Sequence, residues 1–154
     1  MQNKYLSKLR VLLLFSTSNE LYTDNVIQDN GGKVMNVNLS EPDRKQQYNL
    51  TKLQRIAQLK DNWDGYGAEH FSEQLINHAN SLIRRLYIQP EIFPIADGSL
   101  QIEYEKDNGD YLEFQFTGNG SCEGFMLKNG SEKYFHSQDN YRSINAHVED
   151  FYGQ

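Results

Sequence analysis

The sequence contains one cysteine, Cys122, among its 154 residues. A single cysteine cannot form an intramolecular disulfide, and it cannot supply a cysteine-based zinc site. We therefore expect the protein to work in a reducing compartment, the cytoplasm.

Long hydrophobic runs are missing as well. The apolar run from Val11 to Phe15 has five residues, fewer than the about 7 to 15 of a signal-peptide core and far fewer than a membrane span needs. We interpret this run as a buried helix turn or strand.

Basic residues are outnumbered by acidic ones. The chain has 15 lysines and arginines against 21 aspartates and glutamates, so its net charge is −6. Nucleic-acid binding relies on clustered lysine and arginine to release counterions from phosphates, so we expect no direct binding to nucleic acid. The acidic excess lies in one stretch, because residues 90–125 hold eight acids and one base, whereas the rest of the chain holds 13 acids and 14 bases.

Catalytic signatures are also absent. The histidines show no metal-ligand spacing such as His-Glu-x-x-His, and none lies in sequence beside an evident nucleophile. These histidines are His70, His78, His136 and His147. Two enzymatic alternatives stay open: His147 with Glu149 and Asp150 in a nuclease-like site, and carboxylates of the acidic stretch holding Mg²⁺ or Ca²⁺. We expect no cofactor and no bound metal.

The length suits a single domain over residues 1–154. Residues 1–40 are expected to contain a short helix near residues 3–15, and then either a β-hairpin or a mobile loop. The hairpin is favoured by Asn30-Gly31-Gly32, because asparagine and glycine tolerate the positive φ values of a tight turn.

Two helices are predicted within residues 41–88. The first, over about residues 41–60, follows a cap at Ser40 and carries apolar residues at helical spacing. The second, over about residues 72–88, follows a cap at Ser72. Its apolar stripe consists of Leu75, Ile76, Ala79, Leu82, Ile83, Leu86 and Tyr87.

Within residues 92–136 the apolar residues recur at every second position, instead of at the 3.6-residue spacing of the preceding helices. This alternation predicts antiparallel strands joined by tight turns. We expect about four strands, near residues 100–105, 111–116, 122–128 and 133–136. A final helix is predicted over residues 139–152. The fold class is therefore α+β, with an antiparallel meander whose apolar face packs under the helices. The other face should be polar and acidic.

The segment Asp61-Asn62-Trp63-Asp64-Gly65-Tyr66-Gly67-Ala68 joins the two central helices. It holds the only tryptophan of the chain and two glycines that permit positive φ. We interpret Trp63 as a core residue and Asp64-Gly65 as the turn. The alternative is that Trp63 and Tyr66 form an exposed anchor for a partner.

The Asn62–Ala68 segment resembles that of a group of small bacterial proteins of unknown function, which carry Asn-Trp-Asp-Gly-Tyr-Gly-Ala. The resemblance continues through Pro94, Asp97-Gly98 and Ile102-Glu103-Tyr104, and it covers about residues 60–117. Ser99 stands where a second glycine is usual, and Tyr104 where tryptophan is common. The resemblance implies a bacterial or mobile-element origin and no particular chemistry.

The alternation of the strands should place Glu103, Glu105, Glu113 and Glu123 on one face. Like charges at such close spacing are best tolerated where they meet cations. Our hypothesis is a non-enzymatic inhibitor, of the antitoxin, immunity or anti-defence type, whose acidic face binds a basic protein such as a toxin, nuclease or nucleic-acid-binding protein. No membrane partner is expected. The alternatives are a metal-dependent enzyme with a histidine base, and an assembly protein of a mobile element that binds through Trp63 and Tyr66.

Overall fold

A computed structural model describes residues 26–28, 34–36 and 39–153 of the chain. Strands β1 (Val26–Gln28) and β2 (Val34–Asn36) pair antiparallel, which fits the hairpin, one of the two alternatives for this segment. The predicted helix near residues 3–15 and the turn Asn30-Gly31-Gly32 lie outside the described residues.

Helix α1 spans Glu41–Ile56 and begins where the sequence predicts. The Ser40 hydroxyl accepts a hydrogen bond from the backbone N–H of Asp43 at 3.4 Å, and a proline lies in the first turn, where its missing N–H costs nothing. The helix ends earlier than the expected residue 60. The N–H groups of residues 58 and 59 bond to carbonyls three residues back, a tightening that is common at helix ends.

Helix α2 spans Glu73–Ile83, and its cap is the hydroxyl of Ser72. It ends before the predicted residue 88, because the buried amide of Gln89 donates to the carbonyls of Ile83 at 2.9 Å and Leu86 at 3.2 Å. These bonds satisfy carbonyls that a longer helix would have used. Tyr87, which the sequence pattern places in the apolar stripe, is instead 71% exposed.

The C-terminal half contains a five-stranded antiparallel sheet in which each strand pairs with the next one along the chain. Its strands are β3 (Glu91–Pro94), β4 (Leu100–Glu105), β5 (Tyr111–Phe116), β6 (Cys122–Lys128) and β7 (Ser131–Ser137). The expectation of about four strands omits β3, which is short and ends on a proline. Proline cannot donate to a β-ladder, so it suits the edge position that β3 occupies.

One face of the sheet, here called the inner face, packs against the helices, and the opposite one is called the outer face. The inner face contributes Leu100, Ile102, Tyr104, Leu112, Phe114, Phe116, Cys122 and Met126 to a single core cluster. Helices α1, α2 and α3 (Tyr141–Tyr152) contribute most of the other residues of this cluster, and Phe71, Leu86 and Ile92 complete it. The fold is therefore α+β, as predicted, with the helices packed on one side of the sheet.

Candidate functional site

The outer face collects the acidic residues of the sheet. In the cross-strand register, Glu91 pairs with Glu103, Glu103 pairs with Glu113, and Glu123 pairs with Gln115. Within strands β3–β7 the carboxylate side chains of this face are Glu91, Glu103, Glu105, Glu113, Glu123 and Glu132, and no lysine or arginine of these strands lies there. The four glutamates that the sequence places on one face therefore share it.

The lysines of the sheet lie near α3 instead. The ammonium group of Lys106, in the turn after β4, donates to the carbonyl oxygen of Phe151 at 2.6 Å. Lys128 of β6 lies 3.3 Å from the carboxylate of Asp150. Lys133 of β7 is near His147, whose pKa is lowered by burial and further by this positive charge. Charge is thus segregated across the sheet, with cations toward α3 and carboxylates on the outer face.

Glu103 and Glu113 are half-buried and tied into a hydrogen-bond network. Gln101, whose side chain is fully buried, donates from Nε2 to Glu103 at 2.5 Å and to Glu113 at 2.6 Å. The hydroxyl of Tyr111 donates to Glu113 at 2.7 Å. Burial, and next the hydrogen bond to Glu113, raise the pKa of Tyr111. Shared donors therefore hold two directly opposed carboxylates in place and offset their repulsion.

Glu105 and Glu123 are exposed, and a row of three aromatic side chains lies beside the carboxylates on the same face. The ring of Phe125 lies between the rings of Tyr111 and Tyr134, with centroid distances of 6.3 Å and 4.8 Å. Tyr134 is 77% exposed. This row is absent from the sequence predictions, although the alternation in β6 places Phe125 on the face opposite to that of Cys122 and Met126.

Two lysines of α1 reach the outer face at its β3 edge. The ammonium of Lys45 lies 3.0 Å from the carboxylate of Glu91. The ammonium of Lys52 lies 4.9 Å from the ring centroid of Phe93, an outer-face residue that is buried. Burial lowers the pKa of Lys52, although nearby carboxylates act in the opposite direction. The negative potential of the face is therefore moderated at the β3 edge.

The connection between α1 and α2 is a compact loop. Asn62, Gly65 and Gly67 have φ values of 65°, 77° and 93°, in the left-handed region that glycine and asparagine adopt most easily. The carboxylate of Asp64 accepts hydrogen bonds from the backbone N–H groups of Tyr66 at 2.7 Å and Ala68 at 3.1 Å. The local fold thus explains most of the distinctive residue choices in this segment.

The two aromatic residues of this loop have different surroundings. Trp63 is half-buried against the core, its ring centroid is 6.1 Å from that of Phe71, and its indole N–H donates to the carbonyl of Glu69 at 3.0 Å. Tyr66 is 75% exposed. The core interpretation therefore fits Trp63, whereas Tyr66 lies at the surface.

The histidines do not assemble into a catalytic group among the described residues. His70 lies 2.7 Å from a carboxylate oxygen of Asp61, and His78 lies 2.6 Å from one of Asp139. The ring of His147 stacks on Phe135, with centroids 4.3 Å apart. No group of three or more histidine, cysteine or carboxylate side chains in the described part of the chain could hold a metal ion.

Of the three residues of the suggested site, Asp150 lies 3.3 Å from the ammonium of Lys128, and the ring of His147 is the one that stacks on Phe135. Cys122 is buried, and burial raises the pKa of its thiol to about 12, so the residue is not a thiolate at neutral pH.

Comparison with known protein families, curated proteins and solved structures gives no match for this chain. Among the described helices, none combines the length and the apolar character needed to cross a membrane.

Proposed function

We propose that this protein is a non-enzymatic binding protein of the inhibitor type, such as an antitoxin, an immunity protein or an anti-defence factor, and that its outer face binds a basic protein. The observation that supports the proposal is the segregation of charge across the sheet, with six glutamates on the outer face of β3–β7 and no strand lysine beside them. Such a face attracts a partner with clustered lysine and arginine, for example a toxin, a nuclease or a nucleic-acid-binding protein.

The acidic residues have different parts in this proposal. Glu105 and Glu123 are exposed and make direct contacts with the partner. Glu103 and Glu113 are held by Gln101, so they act mainly through the electric field of the face. Exposed charges of this kind mostly raise the rate of encounter rather than lengthen the life of the complex.

Aromatic side chains supply the anchoring part of the surface. Tyr134 presents its ring beside the carboxylates, where the guanidinium group of a partner arginine can stack on it. Exposed aromatic residues that become buried are frequent hot spots of binding. Tyr66 is a second contact in the proposal, and Trp63 holds the loop that carries it. Binding takes place in the cytoplasm, in keeping with a lone buried thiol at Cys122.

The experiment measures the binding of a decalysine peptide to three proteins, which are the wild type and two variants with reversed charges at different positions. They are the wild type, the outer-face variant Glu105→Lys/Glu123→Lys, and the control Glu69→Lys/Glu149→Lys. All four altered side chains are exposed, and both variants change the net charge equally. The position of the charge is therefore the only systematic difference between the two variants.

We expect the outer-face variant to lose about tenfold or more in association rate at ~0.01 M salt, and the control variant to lose much less. The difference should shrink at ~0.15 M salt, where screening is stronger. The same three proteins then serve as baits in a lysate of the source organism, and a specific partner should be retained by the wild type and the control only. Equal losses in both variants would mean that net charge alone drives the interaction, and the outer face would no longer be a site.

A further inference from the structure

Strand β7 is the last strand of the sheet, and among the described residues it pairs with β6 alone. The edge of β7 that faces away from β6 is therefore open within this part of the chain. Most of its side chains are exposed, including Glu132, Tyr134 and His136. An edge strand presents a row of N–H and C=O groups that can pair with a strand of another chain.

The hairpin between β6 and β7 decides which backbone groups point to this edge. Its two turn residues, Asn129 and Gly130, have φ values of 52° and 75°, which is the geometry of a type I′ turn. The flanking pair Lys128–Ser131 is therefore hydrogen-bonded, and bonded and non-bonded pairs alternate from there. The N–H and C=O groups of Glu132, Tyr134 and His136 then point away from β6, toward the open edge.

The sequence of β7, Ser-Glu-Lys-Tyr-Phe-His-Ser, is self-complementary when two copies run antiparallel about a two-fold axis at Tyr134. Glu132 then faces His136 of the second copy, which places an acid opposite a base. Lys133 faces Phe135 of the second copy on the inner side, and the two Tyr134 side chains meet on the outer side. All outward N–H and C=O groups of the three edge residues gain partners in this arrangement.

Other registers of the two β7 strands leave more of the outward N–H and C=O groups without partners or place like charges opposite each other. Moving the axis to Lys133 sets two lysines directly opposite each other, which is unfavourable. Moving it to Phe135 leaves Glu132 beyond the end of the partner strand. Full overlap of the seven residues of β7 and the pairing of acid with base coincide only with the axis at Tyr134.

We infer that a second copy of this chain pairs with β7 across its open edge and joins the two five-stranded sheets into one antiparallel sheet. The two-fold axis is perpendicular to the sheet, so both outer faces lie on the same side. This inference rests on the edge and its sequence, and it does not depend on the capture of a basic partner.

The first test is the concentration dependence of mass in sedimentation equilibrium, which should rise from the 17.9 kDa monomer toward twice that value. His136→Pro removes an outward N–H and leaves the bonds to β6 in place, so it should weaken dimerisation by about tenfold or more while the protein still melts cooperatively. His136→Gln, which keeps the N–H, is the matched control. A wild type that stays monomeric, or a proline variant that dimerises as well as the wild type, would overturn the inference.

Charge exchange tests the pairing of side chains. Glu132→Lys should weaken the dimer by about threefold to tenfold, because lysine then faces His136. The double variant Glu132→Lys/His136→Glu places a lysine opposite a glutamate and should recover most of the affinity. Failure of this recovery would contradict the proposed register.

Cysteine cross-linking tests the register directly. Two Tyr134 residues in a hydrogen-bonded antiparallel pair have Cα atoms about 5.5 Å apart, within the range of a disulfide. Tyr134→Cys in a Cys122→Ser background should therefore form a covalent dimer on mild oxidation. Lys133→Cys in the same background should not, since residue 133 faces residue 135. Cross-linking at 133 in preference to 134 would refute the axis at Tyr134.

Discussion

Gly124 lies beneath an aromatic ring, and adding one methyl group there should measurably destabilise the sheet. The residue is in the middle of β6, opposite Phe114 on one side and Phe135 on the other. A Cβ atom at Gly124 would lie 2.3 Å from two ring carbons of Phe135. Contacts below about 3 Å essentially do not occur, so the ring must move. The backbone at Gly124 is not in the left-handed region, so the effect of Gly124→Ala is steric.

The cost follows from what the ring of Phe135 contacts. It stacks on His147 at 4.3 Å and meets Phe114 edge-on at 5.8 Å between centroids. Overpacking typically costs about 1 to 3 kcal/mol, and each aromatic contact that is lost adds about 0.5 to 1.5 kcal/mol. We therefore expect Gly124→Ala to lower the free energy of unfolding by about 2 to 3 kcal/mol, or the melting temperature by about 5 to 10 °C.

A double-mutant cycle measured by urea unfolding tests this reasoning. Phe135→Leu removes the ring, so Gly124→Ala should cost less than about 0.5 kcal/mol in that background, with a coupling above about 1 kcal/mol. The urea m-value should stay constant across the cycle, which would show that the compactness of the unfolded state is unchanged. A full cost of Gly124→Ala without the ring would refute the steric explanation.

Three further outcomes are expected. Trp63→Phe removes the hydrogen bond to the carbonyl of Glu69, so it should lower the free energy of unfolding, measured by thermal unfolding, by about 0.5 to 1.5 kcal/mol. A stability equal to that of the wild type would show that this bond contributes nothing. Gln101→Leu removes the amide donor that Glu103 and Glu113 share, so it should lower the free energy of unfolding by about 1 to 3 kcal/mol at pH 7; a stability equal to that of the wild type would contradict the donor role of the amide. Because burial lowers the pKa of His147, its contribution to stability is fully present above its usual pKa of 6.5 and is lost as the pH falls below that value. His147→Phe should flatten this part of the stability curve in denaturant titrations, and an unchanged slope would assign it to another group.

Several elements of the fold follow from signals within a few residues of each other. Ser40 and Ser72 cap the two central helices because a hydroxyl needs only the N–H three residues ahead. The alternation in β4 and β5 assigns Glu103 and Glu113 to the outer face, because the period of a strand is two and one face is buried. The positive φ values at Asn62, Gly65 and Gly67 likewise agree with the residues present.

Tertiary structure decided the features whose partners lie far apart along the chain. The end of α2 depends on Gln89. Strand β3, which the sequence pattern did not predict, forms because it pairs with β4. His78 meets Asp139 across 61 residues, a contact that no local pattern predicts. The order in which the strands pair in the sheet decides three further features. These are the half-buried state of Glu103 and Glu113, the aromatic row, and the edge of β7 that is open within the described residues. Local periodicity determines which way a side chain points, whereas the neighbours it meets depend on long-range packing.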